Sequence, residues 1–290
     1  MKKTILLILL CCLLAGCTAA PADREPAENP PPPAAEPAPE EPCVCTVEMM
    51  DWEDSAADED GTALATCRVH MPVLTARRAD GTAIETAETE AEARALAAAE
   101  TFNAQFAAWT LDEEFQELAA LAREERAWRQ ESGIDWGHAF FTEMTGETYQ
   151  TDRLVSVAGE YYSYTGGAHP NTVLMAWNFD LETGAFFVPE QLAGDGEAFS
   201  QAVSAEIVRQ IGETAAEYDL AAEEVFWENY EEIAAGWSSY AVSFDETGMT
   251  VGFSPYELAA YAAGSQVFRL PYDLLAPHLG DYGRAVLGLE

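Results

Sequence analysis

The amino-acid sequence predicts an α+β fold in which hairpins build a largely antiparallel sheet and helices pack against it. Residues 159–184 and 240–254 each contain two strand-like segments with alternating apolar residues, and each includes a glycine-containing turn, which is the pattern of a β-hairpin. Other segments repeat apolar residues every three or four positions, which is the helical period. Strands that come in hairpins favour an α+β class over a parallel α/β class. We expect the two hairpins to join into one curved aromatic sheet that holds a rigid glycine corner out to solvent.

The first hairpin carries the most informative loop of the chain. Its first strand, Gly159–Tyr164, is rich in tyrosine, which suits a half-buried sheet surface. Its second strand alternates over residues 172–180, and the predicted faces are Val173, Met175, Trp177 and Phe179 against Thr172, Leu174, Ala176, Asn178 and Asp180. In the loop between the strands, two adjacent glycines permit backbone conformations closed to other residues, and Pro170 prevents a helix. The candidate ligand-binding residues are Tyr164, Thr165, Gly166, Gly167, His169 and Asn171.

The region before this hairpin is predicted to contain two strands followed by two helices. Cys43–Met50 and Leu64–Thr75 have strand patterns, and the acidic segment Asp51–Gly61 is expected to form the turn between them. Glu85–Trp109 is rich in alanine and glutamate and has an apolar face at helical spacing. Residues 110–113 match a capping box, which predicts that a second helix begins there.

The remaining elements follow from the same two periods and from glycine stops. Phe199, Val203, Ile207 and Ile211 recur at four-residue steps, as on the buried face of a helix. In chain order, we expect an end of the second helix at Gly133, weak strands over Ile134–Glu143 and Glu147–Ala158, a helix that stops at Gly212, a helical stretch over Glu217–Trp237, the hairpin Tyr240–Ser254, a strand over Val267–Leu270 and a short helix over Asp273–Leu279.

The first seventeen residues predict export and lipid attachment. Lys2 and Lys3 precede an apolar run, Thr4–Leu14, which has the layout of a secretory signal and is too short for a stable membrane-spanning helix. The run closes on Leu-Ala-Gly-Cys, which resembles the lipobox of bacterial lipoproteins, so residues 1–16 are the expected signal peptide and Cys17 the lipidated residue. Residues 17–42 are a Pro/Ala/Glu-rich tether. The predicted location is the extracytoplasmic face of the cell membrane.

The charge of the chain restricts its partners. With 14 basic and 51 acidic residues the formal net charge is −37, and loss of Lys2 and Lys3 with the signal peptide makes it −39. Such a field repels nucleic acid and attracts cationic molecules, so nucleic-acid binding is excluded. A simpler interpretation, in which the charge serves only solubility, stays open.

Three cysteines remain after the signal peptide and the lipidated residue, namely Cys43, Cys45 and Cys67. They lie outside the cytoplasm, where disulfides persist, but three cannot all pair within one chain. A bond between Cys43 and Cys45 would close a very tight ring, so we expect Cys67 to pair with one of them. A metal site is the less favoured alternative, because His70 stands alone near these thiols. No cofactor is predicted.

Catalytic signatures are sparse. The sequence has no nucleophile elbow, no zinc-binding HExxH pair and no phosphate-binding glycine loop. The one candidate arrangement for an active site is His169 in the loop, with Glu160 and Asp180 on the flanking strands. The alternative is that His169 hydrogen-bonds the loop backbone and fixes its shape. The many tyrosines around both hairpins suit recognition of a protein or a sugar chain instead.

Two motifs of the C-terminal half resemble a known family. Residues 164–171 and 178–184 form the first motif, and residues 253–257, 261–264 and 268–271 form the second. Together they resemble the extracytoplasmic domain of lysozyme-sensing anti-sigma factors of the sigma-V type, which also precedes the catalytic domain of some peptidoglycan deacetylases. The resemblance covers about 147–279, and about 45–109 resembles the companion domain that usually stands before it. It implies a mixed sheet-and-helix fold and binding of lysozyme or association with the cell wall.

These observations lead to a domain assignment and two functional hypotheses. Residues 43–146 are assigned to a companion α+β region and residues 147–290 to the family's α+β domain. The first hypothesis is a lipid-anchored ectodomain that binds a ligand without catalysis, the ligand being a lysozyme-like cationic protein or peptidoglycan. The alternative is a peptidoglycan-active hydrolase or a deacetylase-like enzyme that uses Glu160, His169 or Asp180.

Overall fold

Alternating apolar residues form nine strands in two sheets within the residues that the structure describes. The computed structural model describes residues 43–110 and 112–289, so the predicted signal peptide, Cys17 and the tether lie outside the described residues. The first sheet has the order β1-β2-β3-β4-β5-β6 and is antiparallel except for the parallel pair β2–β3; its strands are β1 Val44–Ala57, β2 Ala63–Arg77, β3 Phe140–Gln150, β4 Leu154–Tyr164, β5 Asn171–Asp180 and β6 Ala185–Phe186. The second sheet is antiparallel and consists of β7 Ala241–Phe244, β8 Gly248–Phe253 and β9 Gln266–Pro271.

Seven α-helices accompany the sheets in the described part of the chain. They are α1 Glu90–Ala107, α2 Asp112–Glu131, α3 Gly196–Glu217, α4 Ala222–Val225, α5 Tyr230–Ala235, α6 Tyr272–Leu275 and α7 Asp281–Leu287. The predicted α+β class with a largely antiparallel sheet is therefore confirmed.

Each sheet has its own apolar core. The predicted helical faces are confirmed, since α1 buries Phe102 and Phe106 and α2 buries Phe115 and Leu118 in one cluster with the helix-side residues of the first sheet. A second cluster surrounds the short sheet. In that cluster α3 buries the predicted row Phe199, Val203, Ile207 and Ile211.

Strand β5 lies between the two cores because its faces alternate as predicted. On one face Trp177 meets Phe106 edge to face, with ring centroids 5.1 Å apart, and Phe179 belongs to the same cluster. On the opposite face the side chain of Leu174 lies against Gly252 of β8, where an added Cβ would come within 2.9 Å. The period of two therefore directs one face of β5 to the helices and the other to the second sheet.

Buried hydrogen bonds join the two sheets. The Ser156 hydroxyl of β4 donates to Asn178 Oδ1 of β5 and accepts from the backbone N–H of Phe244, each at 2.8 Å. Asn178 Nδ2 donates to the carbonyl of Val242, also at 2.8 Å. Since β7 is the outer strand of its sheet, its free backbone groups would be unsatisfied in the interior without these partners. We call these two side chains, Ser156 and Asn178, the polar clasp.

The prediction that the hairpins form a single curved sheet is wrong. The hairpin β4–β5 belongs to the first sheet and the hairpin β7–β8 to the second. The clasp satisfies backbone groups of β7 through side chains rather than through a ladder, so the sheets stay separate. The glycine corner is nevertheless exposed to solvent, as expected, at Gly167 and His169.

Two expectations about the N-terminal hairpin are also wrong. The segment predicted to be an acidic turn continues β1 as far as Ala57, because it pairs in register with β2. Cys45 pairs with Ala76, whereas Cys67 lies nine residues earlier on β2, opposite Asp54. At about 3.3 Å per residue the two thiols are roughly 30 Å apart, and no disulfide spans that distance.

Two helix predictions also need correction, and one helix was not predicted. Gly212 does not end α3, which continues to Glu217, because five residues beyond the glycine still follow the helical period. The stretch 217–237 is not one helix but the short helices α4 and α5 with a break around Trp227. A final helix, α7, was not expected.

None of the helices in the described ranges is long and apolar enough to cross a membrane. The expected domain boundary at 146/147 lies within β3.

We predict that Asn178→Ala lowers the free energy of unfolding by about 3 kcal/mol, because it leaves the Ser156 hydroxyl and the Val242 carbonyl buried without partners. Denaturant unfolding measures the change. Asn229→Ala is the matched control: this asparagine is exposed and makes no side-chain capping bond, so we expect a change within about 0.5 kcal/mol. Equal stabilities for the two variants would show that the clasp contributes nothing.

Candidate ligand-binding site at the glycine loop

The loop after β4 is shaped by its paired glycines. Gly166 and Gly167 have φ values of +98° and +97°, in the region that side chains other than glycine rarely adopt. The resulting bend brings the Gly167 carbonyl within 3.1 Å of the Tyr164 hydroxyl, which donates to it. The Tyr164 ring is half-buried and stacks on Phe141 at 6.0 Å. Tyr164 therefore connects the loop to the sheet and stabilises the shape of the loop.

His169 lies on the exposed side of this loop and stacks on a residue of the second sheet region. Its ring centroid is 3.7 Å from that of Tyr261, with an interplanar angle of 21°. His169 Nδ1 donates to the carbonyl of Pro170 at 2.8 Å, and the Tyr261 hydroxyl donates to the same oxygen at 2.9 Å. Both lone pairs of one carbonyl are thus used to hold the two rings together.

Tyr256 completes the group with an uncommon backbone conformation. Its φ is +73°, a region that costs an L-residue about 1–2 kcal/mol. Its side chain is 55% exposed, with the hydroxyl 3.4 Å from His169 Nε2 and the ring 5.5 Å from that of Tyr261. Strain of this kind at an exposed aromatic residue is typical of functional sites.

A tryptophan extends the exposed rings. Trp227 Nε1 donates to the Tyr256 carbonyl at 3.0 Å, and the Trp227 side chain is 38% exposed. We call His169, Trp227, Tyr256 and Tyr261 the aromatic platform. Trp227 lies within a run of exposed carboxylates, the acidic rim, which consists of Glu223, Glu224, Glu228, Glu231 and Glu232.

The structure divides the predicted site residues among different roles. His169 belongs to the platform, and Tyr164, Gly166 and Gly167 shape the loop that carries it. Asn171 is exposed at the start of β5, opposite Ser163. Thr165 lies on the helix side of the sheet, where it lines a separate cavity.

Asp180 does not join His169, and that part of the predicted arrangement is wrong. Asp180 ends β5, whereas His169 precedes its start, so the two lie at opposite ends of the strand. The Asp180 carboxylate is fully buried and accepts from Arg153 Nε and Nη2 at 2.9 and 3.0 Å. Burial opposes ionisation of Asp180, but these bonds outweigh burial and hold the pKa of the carboxyl below its usual range. Asp180 is therefore one half of a structural ion pair.

Glu160 stands apart from this ion pair. It is exposed near the end of β4, on the same face as Ser156, and is paired in register with Leu174 of β5. Of the four platform residues, only His169 is among the predicted ligand-binding residues. Tyr256 and Tyr261 belong to the tyrosines around the hairpins that were predicted in general terms to suit recognition, and Trp227 was not predicted. The second motif, 253–264, contains both tyrosines and was the available signal; no sequence pattern pointed to Trp227. Within the described ranges, no group of three or more His, Cys, Asp or Glu side chains is placed to hold a metal ion.

A structural comparison supports the fold assignment. The chain is similar to a crystal structure of a DUF3298 family member from Bacteroides fragilis, with a TM-score of 0.57, 14% identity, and coverage of 87% of this chain and 99% of that one. A DUF3298 family protein from Pseudomonas aeruginosa aligns with a TM-score of 0.45 and 17% identity, over 81% of this chain and 94% of that one. Among curated proteins, none matches the sequence.

The family matches give a more particular assignment. Residues 60–172 match the family model described as deacetylase PdaC, and residues 186–273 match that of DUF3298, a protein family of unknown function. The chain is similar to both families, in this order along its sequence, which confirms the predicted resemblance. These two matches suggest an extracytoplasmic domain of the cell envelope. The platform draws on both regions, since His169 falls in the first match and Tyr256 and Tyr261 fall in the second.

We predict that Tyr256→Gly is more stable than Tyr256→Ala by about 1 kcal/mol, because both variants lose the ring but only glycine relieves the positive φ. Thermal or urea unfolding of the two variants measures the difference. The same pair of substitutions at Tyr218, an exposed tyrosine with φ of −99°, is the control, and there alanine should be the more stable. An alanine variant at position 256 as stable as the glycine variant would mean that no strain is stored there.

Proposed function

We propose that this protein is a cell-envelope lipoprotein whose ectodomain binds a cationic protein of the lysozyme kind at the aromatic platform, without catalysis. The observation that carries the proposal is the position of the platform beside the acidic rim. Tyrosine, tryptophan and histidine rings at the surface offer rigid contact area with polar tips, and tyrosine and tryptophan are enriched among the few residues that dominate the affinity of protein interfaces. The platform is already assembled in the free chain, so binding requires little ordering of side chains.

Charge selects the class of partner. The five glutamates of the acidic rim lie within ten residues around Trp227, in a chain with a formal net charge of −37. Their field attracts a basic protein and speeds its encounter with the platform, and it repels anionic surfaces. Peptidoglycan is the second candidate ligand, because exposed aromatic rings also suit a sugar chain.

The location belongs to the same proposal. The run Leu-Ala-Gly-Cys ending at Cys17 supports lipid attachment, and the segment 17–42 supplies a spacer rich in proline. The lipid is the proposed anchor, with the ectodomain on the extracytoplasmic face of the cell membrane. An anchored binding domain of this kind meets soluble cationic proteins before they reach the membrane.

We expect isothermal titration to detect binding of lysozyme to the mature chain at low salt, and expect the affinity to fall steeply towards about 0.5 M salt, where the Debye length is only a few ångströms. His169→Ala and Tyr256→Ala should each weaken binding about tenfold or more, because they remove central ring contacts. Tyr218→Ala removes an exposed tyrosine outside the platform and should leave the affinity unchanged.

Failure of lysozyme to bind at either salt concentration would remove it as the partner. Peptidoglycan fragments are the second arm of the same experiment, and binding of these fragments alone would assign the platform to the cell wall. Turnover of the fragments, lost in a folded His169→Ala variant, would favour the alternative in which the protein is an enzyme.

We predict that Cys17→Ser releases the protein from the membrane, because serine offers no thiol for the lipid. Fractionation of cells that express the tagged protein, with labelling by a fatty-acid analogue, measures both effects. Cys43→Ser is the control, since it changes a cysteine beyond the proposed tether, and this variant should remain labelled and membrane-bound. Labelling of the Cys17→Ser protein would contradict the anchor.

A further inference from the structure

A recess opens beside the glycine loop, on the side of Thr165 rather than on the side of His169. A cavity of about 300 Å³ lies between α2 and the helix-side face of β2, β3 and β4, and Thr165 stands at its edge. This volume is at the lower end of the range for ligand pockets, about 300–1,000 Å³. It suits a single long side chain better than a cofactor. We call it the Trp109 pocket.

The walls of the Trp109 pocket are apolar and aromatic. Leu118 is buried, whereas Leu121 is 49% exposed and therefore lies at the surface end of the wall. The rings of Trp109 and Tyr161 form another side, with centroids 5.5 Å apart and an interplanar angle of 44°. Such walls fit the methylene stem of a long side chain, and the ring faces attract a cation.

Two carboxylates supply the charge. Glu114 and Glu117 line the pocket from α2, and both are exposed. The charge of Glu114 reaches the interior of the pocket: burial raises the pKa of the Tyr161 hydroxyl and of the Cys67 thiol, and the Glu114 carboxylate adds to the rise in both. Arg68 also borders the cavity, but its guanidinium is paired with Glu53 and Glu143 at 3.2 and 3.0 Å. The pocket therefore combines an apolar stem site with a negative rim.

We infer that the Trp109 pocket receives a lysine or arginine side chain of the cationic partner. The inference rests on the proposed function for the identity of that partner, and on the charge and shape of the pocket for the side chain. The ammonium or guanidinium group lies between the Glu114 carboxylate and the Trp109 and Tyr161 rings, and its stem packs on Leu118 and Leu121. The glycine loop, with His169 on one side and Thr165 on the other, connects this pocket to the aromatic platform.

The test uses the mature chain and a lysine blocked at both ends as N-acetyl-lysine methylamide. Titration followed by NMR should shift the indole resonance of Trp109, assigned through Trp109→Phe, and leave that of Trp227 unchanged. Blocked norleucine has a similar apolar stem but no charge, and it should bind at least fivefold more weakly. Glu114→Gln should weaken lysine binding about five- to tenfold. Glu124→Gln, which removes an equal charge from an exposed position on the same helix, should change it less than twofold.

The outcomes separate this inference from the proposed function. An unshifted Trp109 resonance, or equal binding of blocked lysine and blocked norleucine, would overturn the pocket assignment even if lysozyme binds the platform. Two results together would support the inference in full. Binding of blocked lysine should depend on Glu114, and binding of lysozyme should be weakened about fivefold by Glu114→Gln but not by Glu124→Gln. Lysine binding without any lysozyme binding would support the pocket and overturn lysozyme as its partner.

Discussion

The structure depends on how the free edge of β7 is satisfied inside the molecule. An outer strand that is buried must find hydrogen-bond partners for its backbone, and here the partners are Ser156 and Asn178 of the first sheet. Both are short side chains on the face of their strands that points away from α1 and α2. Because their bonds have fixed directions, they set the position of the second sheet on the first, which apolar contacts alone do not specify as sharply.

The candidate site is a consequence of that placement. Tyr256 and Tyr261 follow β8, and His169 precedes β5, so these rings meet only if the two sheets keep their relation. Within the platform the Pro170 carbonyl accepts from both His169 and Tyr261, and Tyr256 holds a strained backbone. The scaffold is apolar, whereas the platform residues are exposed or half-buried aromatic rings, one of them on a strained backbone, which is the basis of the binding function that we propose.

Sequence periodicity predicted the elements better than their assembly. The two faces of β5 and the buried row of α3 follow from the spacing of apolar residues, which local geometry controls. The separation into two sheets did not follow, because it depends on contacts between residues distant in sequence, such as the hydrogen bond from Asn178 to the Val242 carbonyl. The same limit applies to the site: the loop glycines and His169 were predicted, but Trp227 was not, since its role comes from a contact with the Tyr256 backbone. Asp180 was misassigned because it is close to the loop in sequence but lies at the opposite end of β5 from His169.

The stacking of His169 on Tyr261 gives the most direct measurement of the central claim, that buried hydrogen bonds between the sheets bring two distant motifs into one surface. With ring centroids 3.7 Å apart, the ring protons of the two residues should show strong nuclear Overhauser effects in the free protein, and the His169 protons should be shifted upfield by the tyrosine ring. Both signals are expected in the absence of ligand. A folded protein with a sharp His169 spectrum and neither signal would contradict the claim.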